Sequence, residues 1–176
     1  MIIFLDFDGV LHHENVTLKK CSPAKRRHLK ESGRRLLTMD GRQVKGNNLF
    51  EHADRLAAAL EPFSDVRIVI SSTWREHFRP EALLRFLPES LANRVIGHTP
   101  LCSQGGEDGT RLLEVLAYID GNGHGGEPWV ALDDQARLFL DVDLVCSNNL
   151  FLLKGAEGLT PEVATAFCDF LWNKLQ

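Results

Sequence analysis

The chain opens on Ile2-Ile3-Phe4-Leu5-Asp6-Phe7-Asp8-Gly9, and this stretch limits what the rest can fold into. Ile2 to Leu5 is long enough for a buried parallel strand and too short for a core helix, while Asp8-Gly9 turns the chain. Side chains two apart on an extended segment point the same way, which sets Asp6 and Asp8 on one side and Phe7 on the other. Two like charges this close are costly unless a cation lies between them, and for an oxygen-only site that cation is Mg²⁺. An Asp-Gly turn after a strand accounts for the dipeptide by itself equally well. A second carboxylate pair in the same setting, Asp133-Asp134 after Trp129 to Leu132, favours the metal.

A chain of 176 residues fits one domain with room for a small insertion, and 44% apolar against 25% charged residues is the balance of a soluble globular protein. No apolar run approaches membrane-spanning length, and Asp6 breaks the first one, so neither a transmembrane helix nor a signal peptide is expected and the predicted location is cytoplasmic. Cys21, Cys102, Cys146 and Cys168 form no CxxC pair, which argues against a zinc site and a disulfide framework. The net charge of -4 hides an asymmetry, because residues 12–48 carry ten Lys/Arg against three Asp/Glu. Such a block suits a polyanionic partner, although a solvated charged face is the commoner origin.

Residues 12–48 have little apolar periodicity and several Gly, Pro and Asn signals, which predicts a loop-rich basic insertion, a small cap or flap, with a short hairpin around Leu36, Leu37 and Val44. His12 and His13 are adjacent and point apart, so a backbone or substrate contact is expected of them rather than a shared metal. Residues 51–61 form an amphipathic helix with Ala53, Leu56, Ala57 and Leu60 on one face, stopped by Pro62. Val66 to Ile70 is a second buried strand, running into Ser71-Ser72-Thr73-Trp74-Arg75, where the hydroxyls serve a ligand, a helix N-cap or both. Trp74 reads as packing and Arg75 as a candidate contact for an anionic substrate. A helix over 76–87, broken at Pro80 and stopped by Pro88, leads to a third strand at Arg94 to Gly97.

Thr110 to Ile119 is predicted helical with Leu112, Leu113, Leu116 and Ile119 inward, and Arg111 in its first turn faces an unfavourable helix field, so it needs an anionic partner. The glycine-rich run 121–126 precedes a strand instead of opening a helix and reads as a connector. After the fourth strand come a short helix closed by Leu138 to Leu140 and a fifth strand at Leu144 to Cys146. Thr160-Pro161 then opens a last helix with Val163, Ala166, Phe167, Phe170 and Leu171 on its core side. Alternating strands and helices predict an α/β fold, a doubly wound, Rossmann-like parallel sheet of about five strands with helices on both faces.

In such a sheet the strand ends converge on one edge, so Asp6, Asp8, the hydroxyls at 71–73 and Asp133-Asp134 share a site. DxD on the first strand, Ser71 on the second, a basic Arg111 on a helix and Asp133-Asp134 on the fourth resemble, in that order, the phosphatases of the haloacid dehalogenase (HAD) superfamily. The stretches DFDGVLH, ISSTWR, VIGHTP, GTRLLEVLAYI and WVALDD are similar to the branch known as the HAD domain of Swiss Army Knife RNA repair proteins. The resemblance spans most of residues 1–134.

The resemblance implies Asp6 as the nucleophile that takes the phosphoryl group and Asp8 as the acid and base at the leaving oxygen and the water. It implies Mg²⁺ held by Asp6, Asp8 (through its backbone carbonyl) and Asp134, with Asp133 acting through water. Ser71 and Arg111 would hold the transferring phosphoryl oxygens, with Ser72 as alternate to Ser71. Arg111 stands where the superfamily more often has Lys. True dehalogenases lack the second aspartate, so Asp8 argues against that reaction. The expected function is therefore a Mg²⁺-dependent phosphatase on a nucleotide or nucleic-acid phosphate end. A small-metabolite phosphatase has the same core, and a non-catalytic nucleic-acid-binding module is the alternative of another class.

Overall fold

The computed structural model describes residues 1–14, 49–102, 109–139 and 148–176. Five parallel strands form one sheet in the order β3-β2-β1-β4-β5, with β1 Ile2–Leu5, β2 Arg67–Ile70, β3 Val95–His98, β4 Trp129–Asp133 and β5 Leu150–Leu152. The chain winds outward from β1 to β3, then returns through a helix to β4 on the other side of β1. The strand order therefore reverses between β1 and β4, the place where open α/β sheets open a crevice at their carboxyl ends. Helices cover both faces, as the alternating sequence predicts.

The period of two in the strands separates the two halves of the core. Ile3, Leu5, Ile68, Ile70, Val130 and Leu132 pack on one face, under α1 (Ala53–Ala59), α2 (Pro80–Leu84), α3 (Glu89–Ala92) and α5 (Pro161–Leu175). Ile2, Phe4, Val69 and Ala131 point to the other, under α4 (Thr110–Gly121) and a 3₁₀ turn at Ala136–Phe139. Phe4 takes edge contacts from Tyr118 and Trp129, both at 5.8 Å between ring centres. Gly97 lies against the Tyr118 hydroxyl, so a Cβ there would have no room.

Several elements differ from the sequence reading for identifiable reasons. Pro80 and Pro88 do not break or stop a helix: Pro80 is the first residue of α2 and Pro88 caps α3, positions where the missing N–H has no partner to lose. A separate 3₁₀ turn, Thr73–Glu76, precedes them. On α4 the buried face is Arg111, Glu114, Val115, Tyr118 and Ile119, with Leu112 and Leu116 at its margin and Leu113 exposed. The leucines suggested a phase rotated from the true one because two charged residues occupy the inward stripe. On α5, Ala164 is buried and Ala166 exposed. The fifth strand lies at Leu150–Leu152, in a stretch that has no strong strand signal. The strand expected at Leu144 to Cys146, the hairpin around Leu36, Leu37 and Val44, and residues 15–48 of the basic segment fall outside the described residues. Among the described residues, no helix is long and apolar enough to cross a membrane.

The last helix seals one face of the sheet. Thr160 caps it by accepting from the Val163 N–H at 3.3 Å, Pro161 opens it, and Phe167 is fully buried with its ring 5.0 Å from that of Phe151. Phe167→Ala should cost about 3–5 kcal/mol, the usual range for deleting a buried aromatic ring. Urea denaturation monitored by circular dichroism reads this directly, and a loss below about 1 kcal/mol would mean that α5 is not seated as described.

Candidate active site

The strand register builds the site. Leu132, Leu5, Ile70 and His98 stand abreast in adjacent strands. One residue further along, the ladder continues through the Asp6, Ser71 and Thr99 N–H groups, which donate to Leu132, Leu5 and Ile70 carbonyls at 3.1, 2.8 and 2.9 Å. The next row is therefore Asp133, Asp6, Ser71 and Thr99, four polar residues where the row before has three apolar ones and an exposed His98. By the alternation of the pleat they face α4, and all four are buried.

Arg111 reaches over this row from the first turn of α4. Its Nη1 lies 3.7 Å from an oxygen of Asp6 and 3.7 Å from one of Asp133, and its Nε lies 3.9 Å from Glu114. These carboxylates supply the anionic partner that its place at a helix N-terminus requires. Burial works against the guanidinium charge, but Asp6, Asp133, Glu114 and Asp134 outweigh it and raise the pKa. Glu114 also binds Arg75 in a buried ion pair. Arg75, expected to meet a substrate, is thus engaged within the fold, donating also to the Ser72 carbonyl at 2.6 Å.

Asp6, Asp133 and Asp134 bring oxygens within 4.8 Å of one another. Burial raises the pKa of Asp6, opposed by Arg111 and assisted by Asp8, and raises Asp133 further, assisted by Asp6. Asp134 is pushed up to about 7, by burial first and then by Asp6 and Glu14. Gly9 and Gly155 close around it, and a Cβ at either would run into its carboxylate; Gly9 also has φ +74°, so its place is doubly that of glycine. A buried set of carboxylate oxygens that repel one another is the donor set of a hard divalent cation.

Asp8 follows the strand and turns elsewhere. Its Oδ1 accepts from Trp74 Nε1 at 3.0 Å and lies 2.9 Å from His12 Nε2. Trp74 therefore both packs and hydrogen-bonds. The two serines at the end of β2 have different surroundings. Ser72 accepts the Trp74 N–H at 3.4 Å as the cap of the 3₁₀ turn, and its hydroxyl works against the rise in the Asp6 pKa. Ser71 Oγ has no hydrogen-bond partner among the described residues.

Among the described residues the buried side-chain polar atoms without a hydrogen-bond partner are Ser71 Oγ, Arg75 Nε, Thr99 Oγ1, Arg111 Nη1 and Asp134 Oδ1. All belong to the carboxyl edge of the sheet or the elements over it. Unpaired buried groups cost about 1–3 kcal/mol each, and Ser71 Oγ in the strand beside Asp6, with Arg111 Nη1 3.7 Å from Asp6 and Asp133, suits an anion, as the orphaned Asp134 oxygen suits a cation. Sequence reasoning overlooked Thr99, Glu114 and the bond from Trp74. Thr99 was legible as the residue after the third strand, in the position Ser71 holds after the second.

A family model described as the HAD domain in Swiss Army Knife RNA repair proteins matches residues 2–164. No curated protein and no solved structure matches the chain.

The raised carboxyls give the cation-free site a pH signature. A carboxyl raised above its unfolded pKa contributes stability that is present at low pH and lost as pH rises through the folded value, here for Asp134 between 3.8 and about 7. The cation-free protein should therefore melt lower near pH 8 than near pH 5. Asp134→Asn should reduce this difference, raising Tm near pH 8 by about 2–4 °C for each kcal/mol recovered. Scanning calorimetry in chelator measures both, and an identical slope in the variant would place the strain on other groups.

Proposed function

Since the chain belongs to the family of HAD domains found in Swiss Army Knife RNA repair proteins, and hence to the HAD-type hydrolases, we propose that it is a phosphatase that hydrolyses a phosphomonoester through a phosphoryl-aspartate on Asp6. The observation that carries this reading is the pair of orphaned donors, Ser71 Oγ and Arg111 Nη1, beside the cluster of Asp6, Asp133 and Asp134. Mg²⁺ fits the all-oxygen donor set and would be held by Asp6, Asp134 and the Asp8 backbone carbonyl, with Asp133 through water. When bound, it neutralises the carboxylates and polarises the phosphoryl group.

The remaining chemistry belongs to the chain. Ser71 Oγ and Arg111 Nη1 donate to the transferring phosphoryl oxygens and hold phosphorus in line with the Asp6 carboxylate. Asp6 attacks, the bond from phosphorus to the ester oxygen breaks, and its electron pair leaves with that oxygen, which takes a proton from Asp8. Water then attacks the phosphoryl-aspartate and gives a proton to Asp8. Orthophosphate leaves and Asp6 is restored. Ser72 favours the ionised, nucleophilic form of Asp6.

Asp6→Asn should lower hydrolysis of an aryl phosphate in Mg²⁺ at least about a thousandfold, as expected when a covalent nucleophile is lost. Its circular dichroism should stay that of the wild type. Turnover close to wild type in this variant would refute the covalent mechanism.

The substrate class we propose is a phosphorylated nucleotide or nucleic-acid end. Two facts support it, the RNA-repair proteins in which the family occurs and the ten cations of residues 12–48. A polyanion held by these cations loses affinity as salt displaces it, whereas a small ester spans too little of the segment to respond. Neutralising Arg26, Arg27, Arg34 and Arg35 together should raise KM for a 3′- or 5′-phosphorylated oligonucleotide about tenfold or more, with little change for the aryl phosphate. Equal KM values in wild type and variant would favour a small-metabolite substrate. Mg²⁺-dependent turnover of any of these esters would set aside a purely binding role.

A further inference from the structure

We propose that His12 and Trp74 act as a clamp on Asp8, fixing which carboxyl oxygen it presents to the leaving group of the phosphatase reaction proposed above. Both are positioning residues; neither touches the reacting atoms.

The geometry starts with two ring nitrogens converging on one oxygen. Trp74 Nε1, which can only donate, lies 3.0 Å from Asp8 Oδ1, and His12 Nε2 lies 2.9 Å from the same atom. The histidine tautomer follows from its other side. The backbone N–H of Phe50 points at His12 Nδ1 at 3.4 Å, so Nδ1 holds a lone pair and Nε2 carries the proton. Two N–H donors thus occupy the lone pairs of Oδ1. The proton that the reaction moves is directed to Oδ2.

The surroundings make this arrangement rigid. His12 is fully buried, and its ring packs edgewise on Phe50 at 5.1 Å and Trp74 at 5.7 Å between centres. Phe7, Phe78 and Phe86 complete an aromatic box, with Phe50 stacked on Phe86 at 5.2 Å and Trp74 on Phe78 at 5.5 Å. Phe50 holds φ +58°, a strained conformation for a residue with a bulky side chain, and this is the residue whose N–H meets His12. A phenylalanine at position 12 would fill the same space without desolvating an imidazole. What the histidine adds is its bond to Asp8.

Loss of the clamp leaves Asp8 able to rotate, which should harm a step in proportion to its need for a proton. A nitrophenolate leaves without one and an alkoxide does not. The test measures kcat/KM, which reports the first phosphoryl transfer, for nitrophenyl phosphate and an alkyl phosphate in Mg²⁺. His12→Phe should lose about tenfold more on the alkyl ester than on the nitrophenyl ester, a part of the about 10²–10⁴ that a general acid supplies, because Asp8 itself is still present. Trp74→Phe should shift the ratio in the same direction. His12→Gln, whose amide N–H can reach Oδ1, should recover most of the ratio. Melting temperatures of all three establish that they fold. Equal losses on both esters, or none, in folded variants would overturn the clamp while leaving the phosphatase reading intact. Wild-type protein inactive on both esters would overturn the phosphatase reading and the clamp with it.

Discussion

The buried guanidinium of Arg111 lies between Asp6 and Asp133, 3.7 Å from each, close enough to offset their charges and too far to use up its own donors. Much of the carboxyl edge depends on this balance. Three carboxylates crowded out of water repel one another and favour the protonated form, as the raised pKa of each attests. A guanidinium hydrogen-bonded directly to them would spend its N–H donors on the carboxylates and leave none for an incoming anion. Arg111 relieves part of it and keeps Nη1 unpaired.

Its position is itself maintained by charge. Glu114, one turn along α4, accepts from Arg75 and lies near Arg111, so two buried arginines share one carboxylate behind the strand ends. Burial pulls the Arg75 pKa down, with Glu114 opposing and Arg111 adding to the fall. The inward face of α4 is therefore half electrostatic and half apolar. Arg111 and Glu114 hold its first turn over the polar row, while Val115, Tyr118 and Ile119 dock its remainder on Phe4, Val69 and Ala131.

On the opposite side of β1 a different material holds Asp8. Phe7, packed with Phe50 and Trp74, ties the residue between the two aspartates to the aromatic box. Asp6 and Asp8, two residues apart, thus lie in unlike environments, one buried against a guanidinium and the other partly exposed and bonded to ring nitrogens. Unlike environments suit unlike roles for two carboxyls of the same chemistry.

Much of the fold could be read from the sequence because short apolar runs with turn signals have few alternatives. The first four strands, the two long helices and the doubly wound sheet were legible for that reason. Leu150–Leu152 was not, since three residues carry almost no periodicity and become a strand only beside β4. The face of α4 was misjudged because leucine spacing ignores buried charge, and Arg111 with Glu114 belongs inward only once Asp6, Asp133 and Arg75 are there to meet it. The sequence by itself determined which polar residues end the strands: Asp6, Ser71 and Asp133 each follow an apolar run, and Thr99 follows the less apolar Val95–His98. Only the tertiary structure decided that these ends lie abreast in one row, because parallel register depends on packing between segments distant in sequence. The same holds for His12 and Trp74 meeting on one oxygen of Asp8, a contact that no local pattern encodes.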